Sequence, residues 1–284
     1  MEKITQMKYI LVLLLSVSSL LSMAQEPETI TVPLSNPGQE GKLKVSLIDG
    51  SVDVKGYDGD DVKVVAVLRS KSSNNGYKHK NKSKYKDKGN SRYGMKKITD
   101  NGMSFSVEEI NNTVYVKRPA NGPVIDFEIQ VPRNFSVDLK LVNDGHITVD
   151  QVNGTHEASN TNGKITMTNV GGSVVADALN QDITVSFRTV SPNTTMMFTS
   201  LNGDLDITFP NNLKANVNAR SDFGNVYTDF EIALNKNKPL TKTTNKKGVY
   251  QVKKEKGISG SINGGGADIT FKTLNGDILI RSND

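Results

Sequence analysis

Asp204 and Asp206 stand two positions apart in Asn202-Gly203-Asp204-Leu205-Asp206-Ile207, so on an extended chain both carboxylates point to one side. Paired carboxylates are what glycoside cleavage requires, one as acid and the other as base or nucleophile. Asp268 and Asp277 sit near later turns and extend the set. A plainer reading covers the same residues: outward positions are polar because they face water, and aspartate caps turns. No catalytic residue is assigned on this pattern.

The other chemistry-bearing types are sparse. There are three histidines, His79, His146 and His156. His146 occupies a turn slot filled by Lys164 one repeat later, which predicts a solvated side chain. His156 aligns with Val174, which predicts a partly buried imidazole bonded to backbone. Cysteine is absent, which excludes disulfides, thiolate metal sites, a cysteine nucleophile and lipidation at Cys. Ile262-Asn263-Gly264-Gly265-Gly266-Ala267-Asp268-Ile269 resembles a calcium-binding nonapeptide, but such sites need tandem copies and one copy exists. Its glycines are read as a tight corner. No Lys-Ser/Thr follows them, so they form no phosphate loop. Neither a metal nor a cofactor is expected.

Charge is unevenly placed. The chain carries +5 overall. Between Arg69 and Lys97 lie eleven basic residues (Arg69, Lys71, Lys78, Lys80, Lys82, Lys84, Lys86, Lys88, Arg92, Lys96 and Lys97) against the single acid Asp87, a net +10. Lys236–Lys256 adds a further +7, which leaves the remaining chain near −12. Tyr77, Tyr85 and Tyr93 recur every eight residues among Ser, Asn and Gly. Little in the 69–97 segment is apolar, which predicts a flexible insert. Either the insert is only a solvated loop, or it attaches electrostatically to an acidic polymer. Anionic glycan, lipopolysaccharide phosphate and extracellular DNA fit the second case. The 236–256 stretch is read as a basic loop or hairpin.

The elements that must carry these residues begin after an address. Met1–Ala24 has Lys3 and Lys8, a 13-residue apolar run from Tyr9 to Leu21, and small residues at Ser22 and Ala24. That is the grammar of a cleaved secretory signal peptide. A spanning helix needs about 20 apolar residues. No second apolar stretch follows, so the mature chain, 25–284, is expected to be exported and soluble, with no transmembrane segment. Export argues against chromosomal nucleic acid as a partner.

The body is punctuated by Asn-Gly and Asp-Gly pairs, each followed by alternating apolar residues. These are turn and strand signals. Asp144-Gly145-His146-Ile147-Thr148-Val149 matches Asn162-Gly163-Lys164-Ile165-Thr166-Met167 at an offset of 18, and Asn180-Gln181-Asp182-Ile183-Thr184-Val185 follows 18 further on. Looser copies begin at Asp49, Asn202, Phe223 and Asn275. A strand and a turn held at constant phase predict a solenoid. A β-sandwich would share the short strands but not the phase, and a propeller blade needs about twice the period. One such unit has too few inward residues to offset the entropy of ordering it, so coils must stack. Asparagines in equivalent turns could stack their amides along the axis. No stretch has a clear helical period; Tyr227–Asn235 is the best helical candidate.

Four segments together resemble the bacterial "putative adhesin" domain family. They are Ile129-Gln130-Val131-Pro132; the tandem Asn-Gly-x-Ile-x-Val coils; Ser221-Asp222-Phe223-Gly224-Asn225-Val226; and Ile262-Asn263-Gly264-Gly265-Gly266 followed by Thr273-Leu274-Asn275-Gly276-Asp277-Ile278. The resemblance spans about Gly41 to Ile280. It implies an exported β-solenoid and supplies no catalytic residues; the 69–97 insert departs from the pattern.

The expectation is therefore an all-β protein: a single-domain parallel β-solenoid of 25–284, with coils of about 18–22 residues. It would act without catalysis as an adhesin-like or envelope-associated protein, periplasmic, surface-bound or extracellular, with an anionic glycan or envelope surface as partner. A β-helix enzyme acting on polysaccharides, and a structural envelope component without a ligand, are the alternatives.

Overall fold

The computed structural model describes residues 28–69, 102–235, 241–246, 249–254 and 257–283. The expected signal peptide and all but the first residue of the 69–97 insert's basic set lie outside the described residues. Every regular element described is a β-strand. Twenty strands form one sheet of mixed direction, and Thr241–Lys246 pairs antiparallel with Val249–Lys254 as a separate hairpin within the second basic stretch.

The middle of the sheet consists of parallel strands. Ile147–Asp150 pairs with the first half of Ile165–Ala178, which pairs with Ile183–Val190, which pairs with Leu205–Pro210. Ile147, Ile165, Ile183 and Leu205 form one fully buried column. Thr148, Thr166 and Thr184 form the neighbouring outward column. A second ladder runs alongside, through Phe135–Leu141, Asn153–Asn160, the second half of Ile165–Ala178 and Thr195–Ser200. The two-residue side-chain period then sends alternate residues of both ladders into one core.

Coil order departs from chain order at both ends. Ala267–Thr273 lies between Thr195–Ser200 and Ala215–Ser221, and Ile278–Asn283 lies between Leu205–Pro210 and Val226–Thr228. The last coil is thus inserted between two coils that precede it. The first coil behaves alike: Gly41–Leu47 lies between Thr113–Lys117 and Phe135–Leu141, and Val52–Tyr57 between Ile125–Pro132 and Ile147–Asp150. Four rings cement the C-terminal insertion. Phe187 stacks on Phe209 at 5.0 Å and Phe198 on Phe271 at 5.4 Å, with edge contacts joining the pairs.

Antiparallel strands finish the stack. At one end Glu28–Pro33 covers Asp61–Leu68, which covers Ile125–Pro132, and Ser106–Ile110 covers Thr113–Lys117. At the other, Ile258–Ile262 joins Ala215–Ser221 to Ala233–Leu234. The single parallel β-solenoid expected for 25–284 is therefore met only in part: the protein is all-β and its middle strands pair in parallel, while the sheet as a whole is of mixed direction. A terminal coil leaves a row of unpaired N–H and C=O groups, and an alternating strand of either direction satisfies them. The same demand overrides the helical candidate: Tyr227–Asn235 forms no helix, its first residues lying in Val226–Thr228 against Ile278–Asn283 and its later ones, after a bend, in Ala233–Leu234 against Ile258–Ile262. Among the described residues no helix is long and apolar enough to cross a membrane.

Candidate functional site

The turn edge explains the Asn-Gly repeats. A Cβ at Gly163 would overlap the Gly145 carbonyl oxygen, and one at Gly276 the Gly203 carbonyl. Stacked turns approach too closely for a side chain at these two positions, although Gln181 fills the equivalent slot between Gly163 and Gly203. Beside the glycines the asparagines bond along the axis. Asn180 Nδ2 donates to Asn162 Oδ1 at 2.8 Å, Asn202 Nδ2 to Asn180 Oδ1 at 3.0 Å, and Asn275 Nδ2 to Asn202 Oδ1 at 2.8 Å. Phe223 occupies the next slot, 79% exposed, and ends the amide ladder. Under the turns, small polar side chains satisfy carbonyls that the tight geometry strands. Asn160 Nδ2 donates to the Gly145 carbonyl and Thr273 Oγ1 to that of Gly203, both at 3.0 Å.

Most of the aspartates and histidines singled out in the sequence are absorbed by this scaffold. Asp204 Oδ1 accepts the Asp277 N–H at 2.8 Å, and Asp277 Oδ1 accepts the Asn225 N–H at 2.8 Å. His146 is exposed, as its turn slot predicts, and its Nδ1 accepts the Lys164 N–H at 3.1 Å. Asp206 does not join Asp204 in a cleft; it accepts from Arg281 Nε at 2.6 Å. That pairing raises the Arg281 pKa. Asp268 accepts from Asn216 Nδ2 at 2.9 Å. The glycines at 264 and 265 take positive φ, and the turn wraps the start of Ala215–Ser221 so closely that a Cβ at Gly266 would strike the Lys214 carbonyl. This is the tight corner read from the sequence.

His156 is fully buried, deeper than the partial burial expected, in register with Val137 and Val174. Its Nε2 donates to the Gly171 carbonyl at 3.2 Å, which leaves Nδ1 bare and unbonded. Burial pushes its pKa down to about 4, with the Gly171 and Val152 carbonyls pulling weakly the other way.

Of the basic set, Arg69 alone is described. Its Nη2 and Nε bind the two Asp126 oxygens at 2.5 and 2.9 Å, and Nη1 reaches Asp144 Oδ2 at 3.1 Å. A further bond joins Nη2 to Ser51 Oγ at 2.9 Å. Asp126 and then Asp144 hold the guanidinium pKa up. Arg69 therefore ties the departure point of the insert to the turn edge. Lys71, Lys78, Lys80, Lys82, Lys84, Lys86, Lys88, Arg92, Lys96 and Lys97 lie outside the described residues.

A cleft of about 410 Å³ opens between residues 188–193, 210–214 and the 265–267 turn. None of its lining residues stands out in the sequence as a candidate site. Its trace was the longer spacing of the coil between Ile183 and Leu205, 22 residues rather than 18.

No family model matches the chain, and no curated protein matches it. Among solved structures it is similar to the crystal structure of a protein described as a "putative cell adhesion protein" from Clostridium sporogenes. Identity is 10% and the TM-score 0.43, over 91% of this chain and 100% of that one. So distant a likeness assigns nothing, and the resemblance to the adhesin domain family rests on the repeat motifs themselves.

Proposed function

We propose that the chain is an exported, solenoid-type, adhesin-like protein that binds without catalysis, and that its basic segment attaches to anionic polymers of an envelope or matrix. The observation that carries this reading is the division of charge about Arg69. That residue is spent on Asp126 and Asp144, so the insert leaves from an anchored root. Ten more cations and one acid follow within 28 residues. Such a segment binds by releasing counterions from a polyanion and needs no fixed geometry. The non-catalytic part draws support from the engagement of Asp204 by a backbone N–H and of Asp206 by Arg281. A smooth outward column of threonines suits a binding or structural surface better than a reaction cleft.

The test is to incubate the mature protein with anionic and neutral glycans and score both binding and cleavage. Retention on the anionic glycans without turnover is expected. Turnover of any polysaccharide, abolished in Asp204→Asn/Asp206→Asn, would replace this reading with the enzymatic one.

A further inference from the structure

The cleft is built by a chain crossing. After Pro210 the chain must pass over the inserted last coil to reach Ala215–Ser221, and the Lys214 carbonyl accepts the Ala267 N–H at 3.1 Å on the way. The enlarged loop between the strands Ile183–Val190 and Thr195–Ser200 forms the facing wall. Two cations line the space, Arg188 and Lys214, and no carboxylate does. Neither forms an ion pair among the described residues. Arg188 Nη2 is held by Asn153 Oδ1 at 2.6 Å, which fixes the guanidinium while leaving other N–H donors to spare. Ser191, Asn193 and Asn212 add neutral donors and acceptors, and Pro210 adds an apolar face.

Arg69, Arg133 and Arg281 are each bound to an aspartate from another coil. Arg188 and Lys214 are not so paired among the described residues, and they face one cleft that no carboxylate lines. A guanidinium suits a planar carboxylate or a sulfate, and two amides and a hydroxyl suit vicinal sugar hydroxyls. The volume falls within the usual range for small-molecule sites and accommodates one or two pyranose rings.

We propose that this cleft binds an acidic sugar residue of a glycan, its anionic group on Arg188 and Lys214 and its hydroxyls on Ser191, Asn193 and Asn212. The site is separate from the basic segment: it reads a short, shaped ligand, whereas the segment reads charge density.

The test uses the mature protein and calorimetric titration with three tetrasaccharides: a uronate oligomer, a sulfated heparin fragment and neutral cellotetraose. Binding of either acidic tetrasaccharide, with cellotetraose at least tenfold weaker, supports the proposal, and the preferred acid identifies the anion. Arg188→Gln/Lys214→Gln should weaken the acidic ligand at least tenfold, with the melting temperature unchanged because both side chains are exposed. Asn212→Ala should weaken it severalfold without altering the salt dependence, an effect loose electrostatic attraction would not produce. Removal of Lys71–Lys96 should leave tetrasaccharide affinity unchanged, even if it abolishes polymer binding. Equal binding by the double variant and the wild type, equal binding of cellotetraose, or no binding of either acidic tetrasaccharide would overturn the site and leave the segment's role to its own test.

Discussion

The Asn275 side-chain amide donates to Asn202 Oδ1 at 2.8 Å although the two are 73 positions apart, while the backbone N–H of Phe223, a turn residue between them in the chain, donates to the Leu274 carbonyl at 2.9 Å. The last coil is thus an internal layer of the stack. Deleting Ala267–Asp284 would strip partners from Thr195–Ser200, Leu205–Pro210, Ala215–Ser221 and Val226–Thr228 together, and would remove Phe271 from the four-ring cluster. The truncated protein should lose its cooperative thermal transition, followed by circular dichroism. A transition lowered by only a few degrees would show that the last coil is peripheral.

Gly163 tests the stacking of the turns. Gly163→Ala forces a methyl against the Gly145 carbonyl and should cost about 3 kcal/mol, at the upper end of overpacking penalties. Gly102→Ala meets nothing within 4 Å and should change stability by less than about 0.5 kcal/mol. Urea denaturation of both variants supplies the comparison.

Inward and outward columns separate cleanly at Ile165 and Thr166. Ile165→Asp places an unpaired charge in a column with no exposure and should cost more than about 4 kcal/mol or abolish folding. Thr166→Asp has threonines on either side and should be nearly silent. Equal melting temperatures would invert the face assignment.

His156 makes stability depend on pH. Its folded pKa, about 4, lies below the ordinary 6.5, so the unfolded chain binds the proton first. Stability from this residue is complete above about pH 6.5 and is lost as pH falls towards 4. The loss is on the order of 3 kcal/mol. His156→Val, matching Val137 and Val174 in the same column, should flatten the stability profile between pH 7 and 4. An unchanged profile would place the acid sensitivity elsewhere.

The repeat phase was legible in the sequence because close stacking demands glycine at 145, 163, 203 and 276, and because inward positions such as Ile147, Ile165 and Ile183 must be apolar. The order of the coils was not. Most turns carry similar edge chemistry, and nothing in the motif of any one turn says which other turn it stacks on. Strand direction at the ends was equally hidden, since Asp61–Leu68 alternates in the same way whether its partner runs parallel or antiparallel. The aspartates were visible as polar outward residues, but nothing in their spacing distinguishes a free carboxylate from one that accepts an N–H of the next coil. The cleft depends on the crossing at 210–214 and was invisible without that order.

The most direct measurement of the central functional claim is retention of the mature protein on immobilised heparin across a salt series, beside a variant lacking Lys71–Lys96. The wild type should elute at markedly higher salt, because counterion release makes affinity fall steeply as salt rises and screening shortens to about 8 Å at physiological ionic strength. The deletion should elute early with its melting transition intact. Elution of both proteins at the same salt would contradict the account and remove the basic segment as the binding element.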